Sequence, residues 1–273
     1  MQSQQNKSIQ TSRTVDIKNT AITLPKADPK TKRISSAILN TSTKSGVFLQ
    51  TPFLIVPFGI SSYEGSNGKN VQEETKTWSL VLKAAGGQNE DTEEIGLFFE
   101  YLTALDELAI DHTIQHSNTI YKKVYKTEQR SVVSDILFTK GVKPSIGSDG
   151  TQYPAKISLK IMKNDKNLPD LLVFKNSPEP IEITSWEMLQ ALVPKGLPVK
   201  AIIQPRIYFI NNKAGINYRV HQIKLPNFEK VGRPLSYAFT DPPVLETTEK
   251  VEKKQDKSEE AEDSEDSEVE VEN

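Results

Sequence analysis

Cysteine is missing from all 273 residues, which excludes disulfides, thiolate nucleophiles and cysteine-ligated zinc or iron–sulfur centres. Long apolar runs are missing as well. None approaches the roughly 18 residues that a bilayer span needs, and the polar start MQSQQNKSIQ lacks the charged-then-apolar order of a secretory signal. The expectation is therefore a soluble intracellular protein with no membrane partner. Glycine is sparse at 13 residues and never falls into a GxxxxGK[ST] phosphate loop, a GxSxG nucleophile elbow is absent, and histidine is limited to His112, His116 and His221. These gaps remove the common nucleotide-motor and hydrolase readings, so no enzyme activity and no cofactor are expected.

What is present is charge, unevenly spread. The formal net charge is −2, yet Ser258 to Asn273 holds nine acids (from Glu259 to Glu272) and no base, which leaves the rest of the chain at +7. A body of that sign attracts phosphate, and the acidic run is repelled by it. By itself such a run reads equally well as a solubilising segment.

The order of segments predicts an α+β, mostly β chain. Residues 1–32 are polar with two prolines and read as a flexible arm, residues 33–245 as one domain, and residues 246–273 as a disordered acidic tail. Short apolar runs at Ile34–Leu39, Val47–Leu49 and Phe53–Val56 predict strands, and Ser61–Lys76 a polar loop before the alternating strand from Thr77 to Leu82. The period then changes. Ile95, Phe98, Phe99, Leu102, Leu105 and Leu108 follow helical spacing behind Asp91, Glu93 and Glu94, and a second helix is expected over Thr127–Phe138, so the helical insertion spans about 91–138. Strands return at Lys156–Met162 and Leu171–Lys175, with a short helix over Ser185–Leu192.

The clearest local signal is a long hairpin, in which VKAIIQPRIYFI and INYRVHQIKL flank Asn211-Asn212-Lys213-Ala214-Gly215. With Asn211 facing Gly215, Tyr208 lies opposite Tyr218 and Arg206 opposite Val220, on one side with Gln204, Gln222 and Lys224. Ile203, Ile207, Phe209 and Ile223 then face the core, beside Arg219 and His221. A slip of one residue exchanges the faces.

Single-stranded nucleic acid needs a cationic track for its phosphates and flat side chains for its bases. The candidate cations are Lys76, Lys83, Lys200, Arg206, Lys213, Arg219 and Lys224, and the candidate rings are Trp78, Tyr208 and Tyr218. The competing reading makes these rings ordinary strand residues filling a core. His112 and His116, four apart with Asp111 near, form the one metal-like spacing, without the glutamate of an HExxH motif.

The segments TPFLIVPFGIS (Thr51–Ser61), KTWSLVLKA (Lys76–Ala84), FFEYLTALDELAIDHTIQHS (Phe98–Ser117) and VKAIIQPRIYFINNKAGINYRVHQIKL (Val199–Leu225) resemble, in order and spacing, the single-stranded DNA-binding proteins of nucleocytoplasmic large DNA viruses. The resemblance spans about Arg33 to Pro226 through strand and helix patterns. It implies an OB-like β-barrel with helical additions, no catalysis, and single-stranded DNA, or RNA, as partner during viral replication, recombination or repair. The acidic end is similar in kind to the tails of some phage and bacterial single-strand binders, and as a polyanion tethered to a cationic body it is expected to compete with DNA for that surface and to recruit replication or repair proteins. The expected place of action is the infected host's cytoplasm, with nucleus and virion as the other places. The polar stretch Ser61–Lys76 and the lack of a terminal aromatic depart from the pattern. Two alternatives stand beside it: a virion or scaffold module whose tail engages basic partners, and a metal-dependent nuclease built around Asp106–His116.

Overall fold

The computed structural model describes residues 9–29, 33–63, 76–84 and 91–226. The sequence readings for the acidic tail, and for most of the polar stretch before Lys76, lie outside these residues.

Strands dominate. In chain order they are β1 (Ile9–Gln10), β2 (Thr20–Ile22), β3 (Lys26–Ala27), β4 (Ile34–Asn40), β5 (Ser45–Gly46), β6 (Phe48–Gln50), β7 (Leu54–Ile55), β8 (Ile60–Tyr63) and β9 (Thr77–Lys83). Three helices follow, α1 (Thr92–Gln115), α2 (Ser117–Tyr121) and α3 (Arg130–Val132), and then β10 (Phe138–Thr139), β11 (Val142–Ile146), β12 (Gln152–Ile161) and β13 (Leu172–Phe174). Helix α4 (Trp186–Leu192) precedes the long pair β14 (Pro198–Ile210) and β15 (Lys213–Lys224).

Five of these strands pair in a circuit that returns on itself: β7 with β9, β9 with β12, β12 with β15, β15 with β14, and β14 with β7. All of these pairs are antiparallel except β12 with β15. Strict alternation explains why the circuit buries one side. Trp78, Leu80 and Leu82 of β9, Ile157, Leu159 and Ile161 of β12, and Val199, Ala201 and Ile203 of β14 are all buried, and the residues between them are not.

Helix α1 is the sequence-predicted helix extended by two further turns. Asp91 caps it by accepting the amide of Glu94 at 3.0 Å. Its apolar face, Phe98, Leu102, Leu105 and Ala109, is buried in the same core. The expected helix over 127–138 is broken into a 3-10 turn (Thr127–Gln129), one α turn and a π turn (Val133–Leu137).

Two expectations fail here. Residues 9–29 are not a loose arm, because β1 pairs with β6, and β2 and β3 pair with β4. Val15, Ile17 and Ile22 pack on the core, and Ser12 donates to Glu94 at 3.3 Å. Their strands are too short to show periodicity, and existing strand edges organise them. Ser61–Tyr63 is likewise strand and not loop, in register with β9 at Ser61 opposite Ser79.

Candidate nucleic-acid interface

The turn between β14 and β15 has two residues, not five. Asn211 and Asn212 both adopt positive φ (52° and 57°), the geometry a two-residue hairpin turn demands and one that asparagine tolerates. Ile210 is therefore paired with Lys213, Tyr208 with Gly215, Arg206 with Asn217 and Pro205 with Tyr218. Relative to the register expected from sequence, β15 moves by an odd number of residues, so its faces exchange while those of β14 stay as expected. Ile216, Tyr218 and Val220 turn into the core, and Asn217 and Arg219 turn out.

A bulge restores the other end. Ile203 pairs with Val220 but Ile202 with Gln222, leaving His221 as the extra residue. Gln222 and Lys224 consequently stay on the outer side with Gln204, Arg206 and Tyr208. One strand face thus carries Lys200, Gln204, Arg206 and Tyr208, and its neighbour carries Asn217, Arg219, Gln222 and Lys224. From Lys200 to Tyr208 this stripe is about 26 Å long at strand rise.

Two of the three expected rings are not available to a ligand. Trp78 is 7% exposed and lies flat on Trp186, with centroids 4.2 Å apart and an interplanar angle of 5°. The Trp186 indole N–H donates to the Asn167 carbonyl at 2.8 Å. Tyr218 is 1% exposed, its ring against Gly141, where an added Cβ would come within 2.5 Å of the hydroxyl. That hydroxyl has no hydrogen-bond partner, and burial, with the Asp106 carboxylate nearby, pushes its pKa well up. Both rings are packing elements, which is the reading the sequence left as the alternative. Tyr208 remains. It is half-buried and lies across Gly215, where a Cβ would stand 2.7 Å from the Tyr208 hydroxyl. Only glycine lets the ring rest that low on the sheet.

The cations divide into three places. Lys200 stands directly opposite Lys224, with its ammonium 5.0 Å from the Phe53 ring centroid, beside a groove of about 600 Å³ that Lys175, Phe174, Gln50 and Gln222 also line. Arg206, Arg219, Arg33 and Tyr208 surround a second depression, together with Lys160 of β12. Arg219 is partly engaged, because it donates to Asp170 at 2.6 Å. Lys213 sits exposed at the hairpin turn, Lys76 just ahead of β9, and Lys83 at the far end of β9, opposite Lys156. Among the described residues no carboxylate pairs with Lys83, Lys156, Lys160, Lys200, Arg206, Lys213 or Lys224. Lys143, Lys156, Lys160, Lys175 and Phe53 were not singled out from sequence, although the alternation in KISLKIM already sets Lys156 and Lys160 on the side away from Ile157, Leu159 and Ile161.

The metal-like residues are spoken for. Asp106 is buried and accepts the amides of Gly141 and Val142 at 2.7 and 3.0 Å, which moderate the burial that raises its pKa to about 6. Asp111 pairs with Arg130 at 3.1 Å. His112 is buried 3.4 Å from the Ser36 hydroxyl, with a pKa lowered to about 4 by burial and by His116. Among the described residues no three such groups converge on a point where a metal would sit.

No family model matches the chain, and no curated protein matches it. Solved structures similar to it are single-stranded DNA-binding proteins of phages. That of bacteriophage Enc34 in complex with ssDNA is 12% identical over 74% of this chain and 93% of that one, with a TM-score of 0.40. The gp2.5 protein of bacteriophage T7 is 10% identical over 66% of this chain and 91% of that one, with a TM-score of 0.39.

Proposed function

We propose that this chain is a non-enzymatic, sequence-tolerant binder of single-stranded DNA, with an OB-like barrel as its body and the outer face of β14 and β15 as its ligand face. The observation that carries this reading is the set of outward cations without acidic partners, Lys200, Lys224 and Arg206 along the hairpin face and Lys160 on the neighbouring β12, around the ring of Tyr208. Unpaired surface cations in a row cost stability unless an anion completes them, and a half-exposed ring among them suits a base. Backbone tracking and stacking on a ring tolerate any sequence, because every base carries a phosphate and a π-face.

The role belongs to viral DNA replication, recombination or repair, and the nine acids of Ser258–Asn273 compete with phosphate for the body and recruit basic partner proteins. Titration of labelled oligo-dT followed by fluorescence anisotropy tests the core of the reading. Log affinity should fall linearly with log salt, by about 0.7 per phosphate neutralised. Equal affinity at low and high salt would refute it. Deleting Ser258–Asn273 should tighten binding at low salt, and unchanged affinity would remove the regulatory part alone.

A further inference from the structure

We infer that the bound strand continues beyond the hairpin onto a second segment, a row of three lysines with an exposed tyrosine at the far end of β9 and β12. The inference rests on the proposed single-strand binding and extends it to the path the ligand takes.

Register makes the row. Lys83 of β9 is opposite Lys156 of β12, and Lys156 is opposite Lys143 of β11. Three ammonium-bearing residues thus stand side by side on adjacent strands, each pair with Cβ atoms about 5 Å apart. Like charges set directly opposite each other destabilise a sheet, and no described carboxylate pairs with any of the three. A neutral residue at any of these positions would fold at least as well.

A bulge supplies the ring. Between Lys143 and Ser145 the register shifts, so that Ser145 faces Tyr153 while Lys143 faces Lys156. Two steps on β11 match three on β12, which brings Tyr153 to the same side as the lysines. It is 49% exposed, and the Lys83 ammonium lies 5.9 Å from its ring centroid. A flat ring beside three cations repeats the chemistry of the hairpin face.

The two segments are joined. Lys143 borders a depression whose wall also includes Lys160, Asn217 and Tyr208. Lys156 and Lys160 share a face of β12 about 13 Å apart at strand rise. A flexible polyanion lying along Arg206 and Tyr208 can therefore pass over Lys160 to reach the row without leaving cationic surface. The occupant that satisfies both the charges and the ring is a further stretch of the same single strand.

The test uses the full chain and the variant Lys83→Gln/Lys143→Gln/Lys156→Gln, with anisotropy titrations of oligo-dT of about 5 and about 16 nucleotides, spanning the range one such fold covers. The wild type should bind the longer oligonucleotide more tightly. In the variant that gain should disappear, with the salt slope for the longer one reduced by about 2 and the affinity for the shorter one kept. The variant's unfolding midpoint should be equal or higher. Equal loss on both lengths, or no loss on either, overturns the inference. So does a variant that keeps both affinities but loses binding to polyglutamate, which would make the row a protein-facing patch. If the wild type binds neither oligonucleotide, the proposed function has failed first, and the two failures are told apart.

Discussion

The exchange of faces on β15 makes Tyr208 and Tyr218, which sequence places side by side, behave oppositely. Replacing Tyr208 by alanine removes the tyrosine ring on the hairpin's outer face. At about 1–3 kcal/mol per stacked base, affinity for oligo-dT should fall roughly 5- to 150-fold, while the hairpin ladder stays intact because only a side chain above Gly215 is lost. Tyr218→Leu should do the reverse, costing stability through lost burial and leaving the affinity of the folded protein within about twofold. Tyr218→Phe isolates the hydroxyl. It is fully buried without a partner, so deleting it should recover part of the roughly 1–3 kcal/mol such a group costs, and raise Tm by about 2–4 °C per kcal/mol in a domain of this size. Anisotropy at a temperature well below the transition, with thermal unfolding in parallel, separates the effects. Equal losses of affinity in Tyr208→Ala and Tyr218→Leu would mean that both rings meet the ligand, and the two-residue turn would be wrong.

Asp106 and His112 make opposed contributions to stability in acid. The folded pKa of Asp106, about 6, lies above its ordinary 3.8, so the folded state holds the extra proton between those values and gains up to about 3 kcal/mol as pH falls through them. His112, at about 4 against 6.5, loses a similar amount, about 3 kcal/mol, over nearly the same window. Urea unfolding at pH 4 and 7 should therefore show Asp106→Asn weakening towards acid relative to wild type and His112→Gln strengthening, and parallel profiles in all three proteins would contradict the burial of both groups. Trp78→Ala should cost about 3–5 kcal/mol through loss of the Trp186 stack, with the DNA affinity of the folded fraction unchanged; an affinity loss without destabilisation would return Trp78 to the ligand face. Gly141→Ala should destabilise by about 1–3 kcal/mol, because the new methyl meets the Tyr218 ring, and Tyr218→Leu should relieve much of that cost in the double variant.

Much of the body was legible in the residues because local rules apply to it. Helical spacing behind Asp91 located α1, alternation located β9, β12 and β14, and the outward side of β14 followed from Ile203, Ile207 and Phe209. Lys156 and Lys160 were legible by the same alternation, because Ile157, Leu159 and Ile161 take the inner side of β12. The short strands between Ile9 and Ala27 were not, since two or three residues carry no period and pair only because β4 and β6 present open edges.

By itself, then, the amino-acid order determined the hairpin, the main helix, the positive body and the acidic end, since propensity, periodicity and charge act within a few residues of one another. Only the tertiary structure decided which rings are free. A period of two specifies a strand's faces only up to a shift of one residue, and the left-handed pair Asn211-Asn212 set that shift by closing the turn in two residues. The partner that takes Trp78 out of contention, Trp186, is 108 residues away in the chain, beyond the reach of any local pattern.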